Sequence, residues 1–594
     1  MISLLLSVAF ASSSYDPAVY VDRFTGTETY TIDGGIRLWS AIELHKDADT
    51  MFDQEEYNSV TAWPEGSGFA PWIAECFGST KPHSGSFLLH MGAFEESALG
   101  TPILFVPGAG DNGSRGFIGM ATHQNNLGRP VYALTFAHPH GDSFMQAEVV
   151  ADAIARIRER TGAAQVDVVS HSKGGISTAI YLSNAEGADW GERTDYETRG
   201  TTYRGDVRRA VFIATPLGGI DTAFRWPSGN YASLDADTAM APTSWSVYYP
   251  YTSSLPTYAT SLVEQDFFDD AAGDLFPGQR QIIARWDGVY GLPGSNATLG
   301  IYALQQDWYT SYEGGVGFYS YSTGIDEVIA SGDDVLGALG RNGVDAGVEI
   351  FVLAGESPLM PNGSEDYYAA MFGETFIDMA TAASDTWADF SAALVGDGLS
   401  AYGFEESDIQ GLMAGKMLLG EVSGPSDGLV FVDSATQSST LDSRGATVVE
   451  IKTVNLSHLD LLYASPITGE LMLEAAALDP LDEGWREALA ERYIEADTIG
   501  WLERVLEDSG SSDGGGEADG GGEADGGGEA DGSGEADGAG GDDTATAGDD
   551  SAGGEDGATS DKEQHSNGCA TAGGAGGLSA LLLGALALLG RRRR

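Results

Sequence analysis

Gln165-Val-Asp-Val-Val-Ser170-His-Ser172-Lys-Gly174-Gly175 runs from a short apolar strand into two glycines, and a helical pattern continues from Lys173 to Ser183. A serine at the turn where a strand hands over to a helix is the setting in which G-x-S-x-G presents a nucleophile. Here the first glycine position is Ser170. That position needs a small side chain because the strand and helix backbones pass closely, and serine fits with more crowding than glycine. Ser172 then projects from a strained turn at the top of a sheet. The helix N-terminus, with the Lys173 N–H, faces any negative charge developing there. The bland alternative is an ordinary strand-to-helix turn.

The flanks support the first reading. Ile103-Leu-Phe-Val106 is an apolar run stopped by Pro107-Gly108-Ala109-Gly110, and Val131 to Phe136 is a second strand. Ser143 with Gln146 three residues on has the form of a capping box. Ala147, Val150, Ile154 and Ile157 follow at helical spacing, and Gly162 ends the helix. Arg209 to Ala214 and Val348 to Ala354 read as further strands, as does Ala446 to Ile451. Alternating strands and helices mean an α/β fold, a mainly parallel sheet with helices on both faces. Residues 20–100 read as an N-terminal region of strands and loops.

Composition limits the function classes. The formal net charge is −59, and the Gly-rich segment from Ser509 to Gly568 carries only −16 of it. The folded body is therefore acidic too, which excludes nucleic acid as a natural partner. Two cysteines, Cys76 and Cys569, make neither a disulfide scaffold nor a zinc site. No phosphate-binding glycine loop stands at a strand-to-helix junction.

The stretch Gly162 to Gly175 resembles secreted bacterial lipases of the α/β-hydrolase fold, and the resemblance spans about residues 101–465. It implies a serine ester hydrolase with a triad in the order Ser, acid, His. Downstream of Ser172 and its neighbour His171 only His458 and His565 remain, and His565 lies in the low-complexity tail, so His458 is the expected base. Many acids could orient it. Gly424-Pro-Ser-Asp427-Gly-Leu-Val430 resembles the (N/S)-D-G-(L/I)-V segment that carries the catalytic Asp of these lipases, which implies Asp427. Glu356 and Asp366 are the runners-up. The family places its second oxyanion donor after a His-Gly pair. The matching residues here are Pro107-Gly108-Ala109, so the Ala109 N–H pairs with that of Lys173. Some of these lipases bind calcium through an Asp two residues after the His. Asp460 matches, but Ala464 stands where the family has a further ligand, a Gln, which leaves a solvated or N-cap aspartate as the alternative. No other cofactor is implied.

Between Phe224 and Tyr321 there are 20 aromatics in 98 residues, about twice the chain's 10%. Residues 221–346 are read as a cap inserted in a hydrolase domain of 101–508, and 357–420 as a second insertion. An aromatic cover suits an apolar ester, although aromatics also form a cap's own core or stack on sugars. The substrate is thus a lipid or another ester. A polyester depolymerase or cutinase-like esterase is the nearest rival, and a non-catalytic surface-binding protein on the same fold is the more distant one.

Both ends read as addresses. Residues 1–11, an apolar run closing in Ala9-Phe-Ala11, have the form of a signal peptide. Gly-Gly-Gly-Glu-Ala-Asp recurs every six residues from Gly514, in an acidic spacer, residues 509–567, that cannot bury enough apolar surface to fold. Gly568-Cys569, small residues, the apolar run Leu578 to Leu589 and Arg591 to Arg594 resemble the myxobacterial C-terminal sorting signal. That resemblance, over residues 568–594, implies export, handling by membrane sorting machinery near Cys569, and a cell-surface anchor. A plain tail anchor is the alternative.

Overall fold

A computed structural model of the chain describes residues 21–28, 38–46, 52–57, 62–63, 71–92, 100–113, 116–222, 276–291, 324–357, 359–360, 417–418, 424–476 and 483–507. The chain separates into two units, Met1–Gly514 and Gly515–Arg594. All the described residues belong to the first unit. The expected signal peptide, spacer and sorting segment, with Cys569, lie outside them, as does Asp366.

Nine strands form one sheet: β1 (Val21–Glu28), β2 (Trp39–His45), β3 (Phe87–Gly92), β4 (Ile103–Val106), β5 (Val131–Phe136), β6 (Val166–His171), β7 (Val207–Ile213), β8 (Glu349–Gly355) and a last strand, Thr447–Val454. Their spatial order is β1-β2-β3-β5-β4-β6-β7-β8 and then Thr447–Val454. From β5 to the last strand every pairing is parallel; β1, β2 and β3 extend the sheet antiparallel at the other edge. Residues 20–100 thus contribute three strands to the sheet, with the helix α1 (Pro71–Phe77) beside them.

The inner parallel strands, β4 to β8, are largely buried on both faces because helices cover both, whereas Thr447–Val454 at the edge alternates exposed and half-buried residues. Leu104, Val106, Val168, Ala210, Phe212, Ile350 and Val352 face one core. Ile103, Phe105, Val169, Val211, Ile213, Phe351 and Leu353 face the other. The alternation follows from the period of two along a strand. Burying one such side chain contributes roughly 1.5–3 kcal/mol. Helices α2 (Ile118–Asn126) and Thr498–Leu506 share the second core, and α3 (Ser143–Thr161) and α4 (Lys173–Ser183) the first.

Of the cap stretch, residues 221–222, 276–291 and 324–346 are described, and the last two parts join the first core. Phe276, Ile282, Ile283, Ile325, Val328, Val335 and Leu339 are buried there. The described residues of this inserted stretch therefore belong to the body of the fold. Among the described residues no helix is long and apolar enough to cross a membrane.

The start of α3 departs from the capping box. Asp142, one residue earlier, is the N-cap, and its carboxylate accepts from the N–H groups of Phe144 and Met145. Gln146 is thereby freed from capping and reaches elsewhere. Gly162 ends the helix at φ 68°, the left-handed conformation glycine adopts at low cost.

Candidate active site

Ser172 stands between β6 and α4 at φ 51° and ψ −131°. Positive φ in a non-glycine residue costs on the order of 1–3 kcal/mol and persists only where the surroundings enforce it. They do so here. The Ser172 N–H donates to the Ile213 carbonyl at 2.9 Å, and its carbonyl accepts from the Gly175 N–H at 3.0 Å. Gly174 and Gly175 follow because a side chain at either would collide, at Gly174 with the Pro107 and Val106 carbonyls and at Gly175 with Thr215. Ser170, where a glycine was the simpler choice, is fully buried and donates its hydroxyl to the Val211 carbonyl of β7 at 3.1 Å. The extra atom is thereby accommodated as a hydrogen-bond donor.

Asp427 and His458 come together although 31 residues separate them. His458 Nδ1 lies 2.8 Å from Asp427 Oδ2, and the His458 N–H donates to the Asp427 carbonyl at 2.9 Å. The other carboxylate oxygen, Oδ1, accepts from the N–H groups of Leu429 and Val430 at 3.0 and 2.8 Å. Both residues are buried. A carboxylate so held fixes the imidazole tautomer with the proton on Nδ1 and leaves Nε2 a lone pair. His458 Nε2 is buried with no hydrogen-bond partner among the described residues. A buried imidazole nitrogen left bare is costly unless something is to use it.

His171 links this pair to the serine turn. Its Nε2 donates to the His458 carbonyl at 3.1 Å, and the two rings lie 4.6 Å apart. Burial pushes its pKa well below the usual imidazole value, and His458 beside it acts in the same sense. His171 therefore stays neutral at the back of His458. Sequence reasoning passed it over; adjacency to Ser172 was the only available signal.

Gly108, in the turn after β4, packs so close that a Cβ there would lie 2.9 Å from Ser172 Cβ. Ala109 follows it. Neither the Ala109 N–H nor the Lys173 N–H donates a backbone hydrogen bond among the turns and loops of the described residues. Glu356 is exposed just beyond β8, and its N–H donates to the Val454 carbonyl at 3.0 Å.

Asp460 is neither solvated nor an N-cap. It is 2% exposed, and Leu459 caps the short 3-10 turn that Asp460 begins. Its carboxylate accepts from Ser457 Oγ at 2.7 Å and from the Tyr493 hydroxyl. Burial pushes it up to about 6, against those hydrogen bonds. Asp460 thus ties the His458 loop to the helix Glu483–Ala496. Among the described residues no three His, Cys, Asp or Glu side chains gather as a metal site.

Trp286 is 7% exposed. It donates to the Gly219 carbonyl at 3.1 Å and lies against Tyr290 and Phe431, next to the Asp427 turn. Trp308 lies outside the described residues.

Lys173 is buried, which pushes its ammonium from 10.5 down to about 7, with Glu55 and Asp142 opposing the fall. A folded-state pKa below the unfolded one means that the charged form is penalised by folding. That penalty is complete below about pH 7 and is lifted as the pH rises towards 10.5. Relative to the unaltered chain, Lys173→Met should therefore gain stability as the pH is lowered through this window. Denaturant midpoints measured across the range check it. A difference that stays constant with pH would mean that Lys173 is not desolvated.

No family model matches the chain. Among solved structures it is similar to a Bacillus licheniformis lipase, BlEst2, in its mature form: 14% identity, 62% of this chain and 89% of that one covered, TM-score 0.28. The propeptide form of the same lipase is 14% identical over 63% of this chain and 50% of that one, with a TM-score of 0.27.

Proposed function

We propose that the protein is an exported serine ester hydrolase of the α/β-hydrolase type, most like a lipase, acting on carboxylic esters of apolar substrates. The observation that carries this reading is the bare, buried Nε2 of His458, oriented by Asp427 and joined through His171 to the strained Ser172 turn. In the reaction, Ser172 Oγ attacks the ester carbonyl carbon while His458 Nε2 takes the hydroxyl proton. The tetrahedral oxyanion accepts from the N–H groups of Lys173 and Ala109. Collapse expels the alcohol, which receives the proton from His458 and leaves an acyl-serine. Water, deprotonated by the same nitrogen, attacks the acyl carbon and releases the acid and Ser172.

A fluorophosphonate tests the reading. It should label the chain once, at Ser172, and block hydrolysis of p-nitrophenyl esters in proportion to labelling. An unlabelled, folded chain would point to a surface-binding protein instead. Rates across butyrate to palmitate esters then separate a lipase-like from a short-chain preference, because each methylene buried contributes about 0.8 kcal/mol.

Export and anchoring belong to the same proposal. An acidic glycine-rich spacer of roughly 60 residues would let the hydrolase range several nanometres from an anchor at Cys569. Cys569→Ser should leave hydrolysis unchanged and abolish surface retention, as read by cell fractionation and protease shaving. Unchanged display, with Arg591 to Arg594 kept on the mature protein, would leave a simple tail anchor.

A further inference from the structure

The lysine after Ser172 has its side chain turned into the protein, 1% exposed, where an ammonium is held only by dedicated partners. Its Nζ donates to Gln146 Oε1 at 2.5 Å. That oxygen also accepts from Ser177 Oγ at 3.2 Å, while Gln146 Nε2 donates to the His138 carbonyl at 3.0 Å. The amide is thus held at both ends and cannot turn round. On the other side lies the inserted segment. Gly278 packs against Lys173 so closely that a Cβ there would overlap its Cε and Nζ and the Gly141 carbonyl. The Gly278 N–H donates to the His140 carbonyl at 3.1 Å, and Gln281 Oε1 accepts from the Ser143 N–H at 2.8 Å. The charged and titratable groups around the ammonium are Glu55, Asp142, His138 and His140.

At the front of the same residue, the Lys173 N–H donates no backbone hydrogen bond among the turns and loops of the described residues, and its peptide is held on the carbonyl side alone, where the Ser172 carbonyl accepts from the Gly175 N–H at 3.0 Å. It follows a serine at φ 51°, a conformation that relaxes unless its neighbours hold it. A side chain clamped at its far end restrains the backbone at its near end. We propose that Lys173 is a positioning residue: gripped by Gln146 and covered by Gly278, its side chain aims its own N–H at the oxyanion. Docking of Phe276–Gln281 is thereby coupled to catalysis at Ser172. This rests on the hydrolase reading above.

The test uses the full chain and three variants: Lys173→Met, Gln146→Met and Gly278→Ala. The last leaves Lys173 in place and displaces its ammonium from outside, so it serves if Lys173→Met does not fold. Fluorophosphonate labelling rate, kcat and KM for a short-chain ester, and Tm are measured on each. The expected result is a labelling rate and kcat lowered together by on the order of tenfold, since misaiming one oxyanion donor costs less than removing it. KM should stay within about twofold, because ground-state binding is untouched. Variants that shift Tm but label and turn over at the rate of the unaltered chain would reduce Lys173 to a packing residue, while labelling at Ser172 kept the hydrolase reading intact. An unaltered chain that is not labelled would overturn both.

Discussion

Ser172→Ala is expected to abolish ester hydrolysis, with kcat falling on the order of 10⁵-fold or more, while the far-ultraviolet circular dichroism and Tm stay near those of the unaltered chain. The loss is large because the oxygen that forms the acyl bond is gone. The fold survives because the turn is held by backbone bonds, from Ser172 N–H to Ile213 and from Gly175 N–H to Ser172, which alanine keeps. Alanine also keeps the strain of φ 51°. Ser172→Gly should then be the more stable of the two inactive chains, by about 1 kcal/mol, because glycine adopts that φ without steric cost, less its own entropy. A Ser172→Ala chain that hydrolysed esters at a rate comparable to the original would remove the nucleophile from the scheme.

The parts of the fold legible in the sequence are those where one physical cause dominates. Ile103–Val106, Val131–Phe136 and Val166–His171 are buried on both faces, so their strands appear as mostly apolar runs, unbroken in the first and interrupted by Thr135 in the second and by Asp167, Ser170 and His171 in the third. The antiparallel edge was not legible. β2 contains Glu43, a residue type that pattern reading assigns to solvent, yet it is fully buried. Burial alone would raise its pKa; His45, Arg156 and Arg160 hold it down at about 2. Arg156 and Arg160 come from α3, more than a hundred residues away. The helix cap shifted from Ser143 to Asp142 for a related reason. Ser143 N–H is taken by Gln281 and Gln146 by Lys173, so tertiary partners took the groups that a local capping box would use.

The site was legible to a different degree at each residue. Ser172 was marked by its turn, and the two glycines after it have steric reasons that the structure supplies. His458 stood out because few histidines follow Ser172. Nothing in the spacing of charges distinguished Asp427 from Glu356; only the likeness of its loop did. The structure separates them. Asp427 is buried against His458, whereas Glu356 is exposed. His171 and the grip of Gln146 on Lys173 were invisible, because both depend on carbonyls and side chains brought together by the sheet order.

Asp427→Asn should lower kcat on the order of 10⁴-fold with the fold intact, and Glu356→Gln should leave it nearly unchanged. The direction follows from the hydrogen bonds rather than from charge alone. Asp427 Oδ1 accepts two N–H groups, from Leu429 and Val430, so an asparagine must place its carbonyl oxygen there. Its NH2 group is then forced towards His458 Nδ1, 2.8 Å from the present Oδ2. A donor facing Nδ1 makes that nitrogen the acceptor and moves the imidazole proton to Nε2. The nitrogen that should take the Ser172 proton would already carry one, and the imidazolium formed in the transition state would lose its carboxylate. Fluorophosphonate labelling should slow in parallel, since it needs the same deprotonation, while KM changes little. Proton-detected NMR of the His458 ring would show the exchangeable proton on Nδ1 in the unaltered chain and on Nε2 in the variant. Near-normal turnover in Asp427→Asn, with a severe loss in Glu356→Gln, would transfer the orienting role to the end of β8.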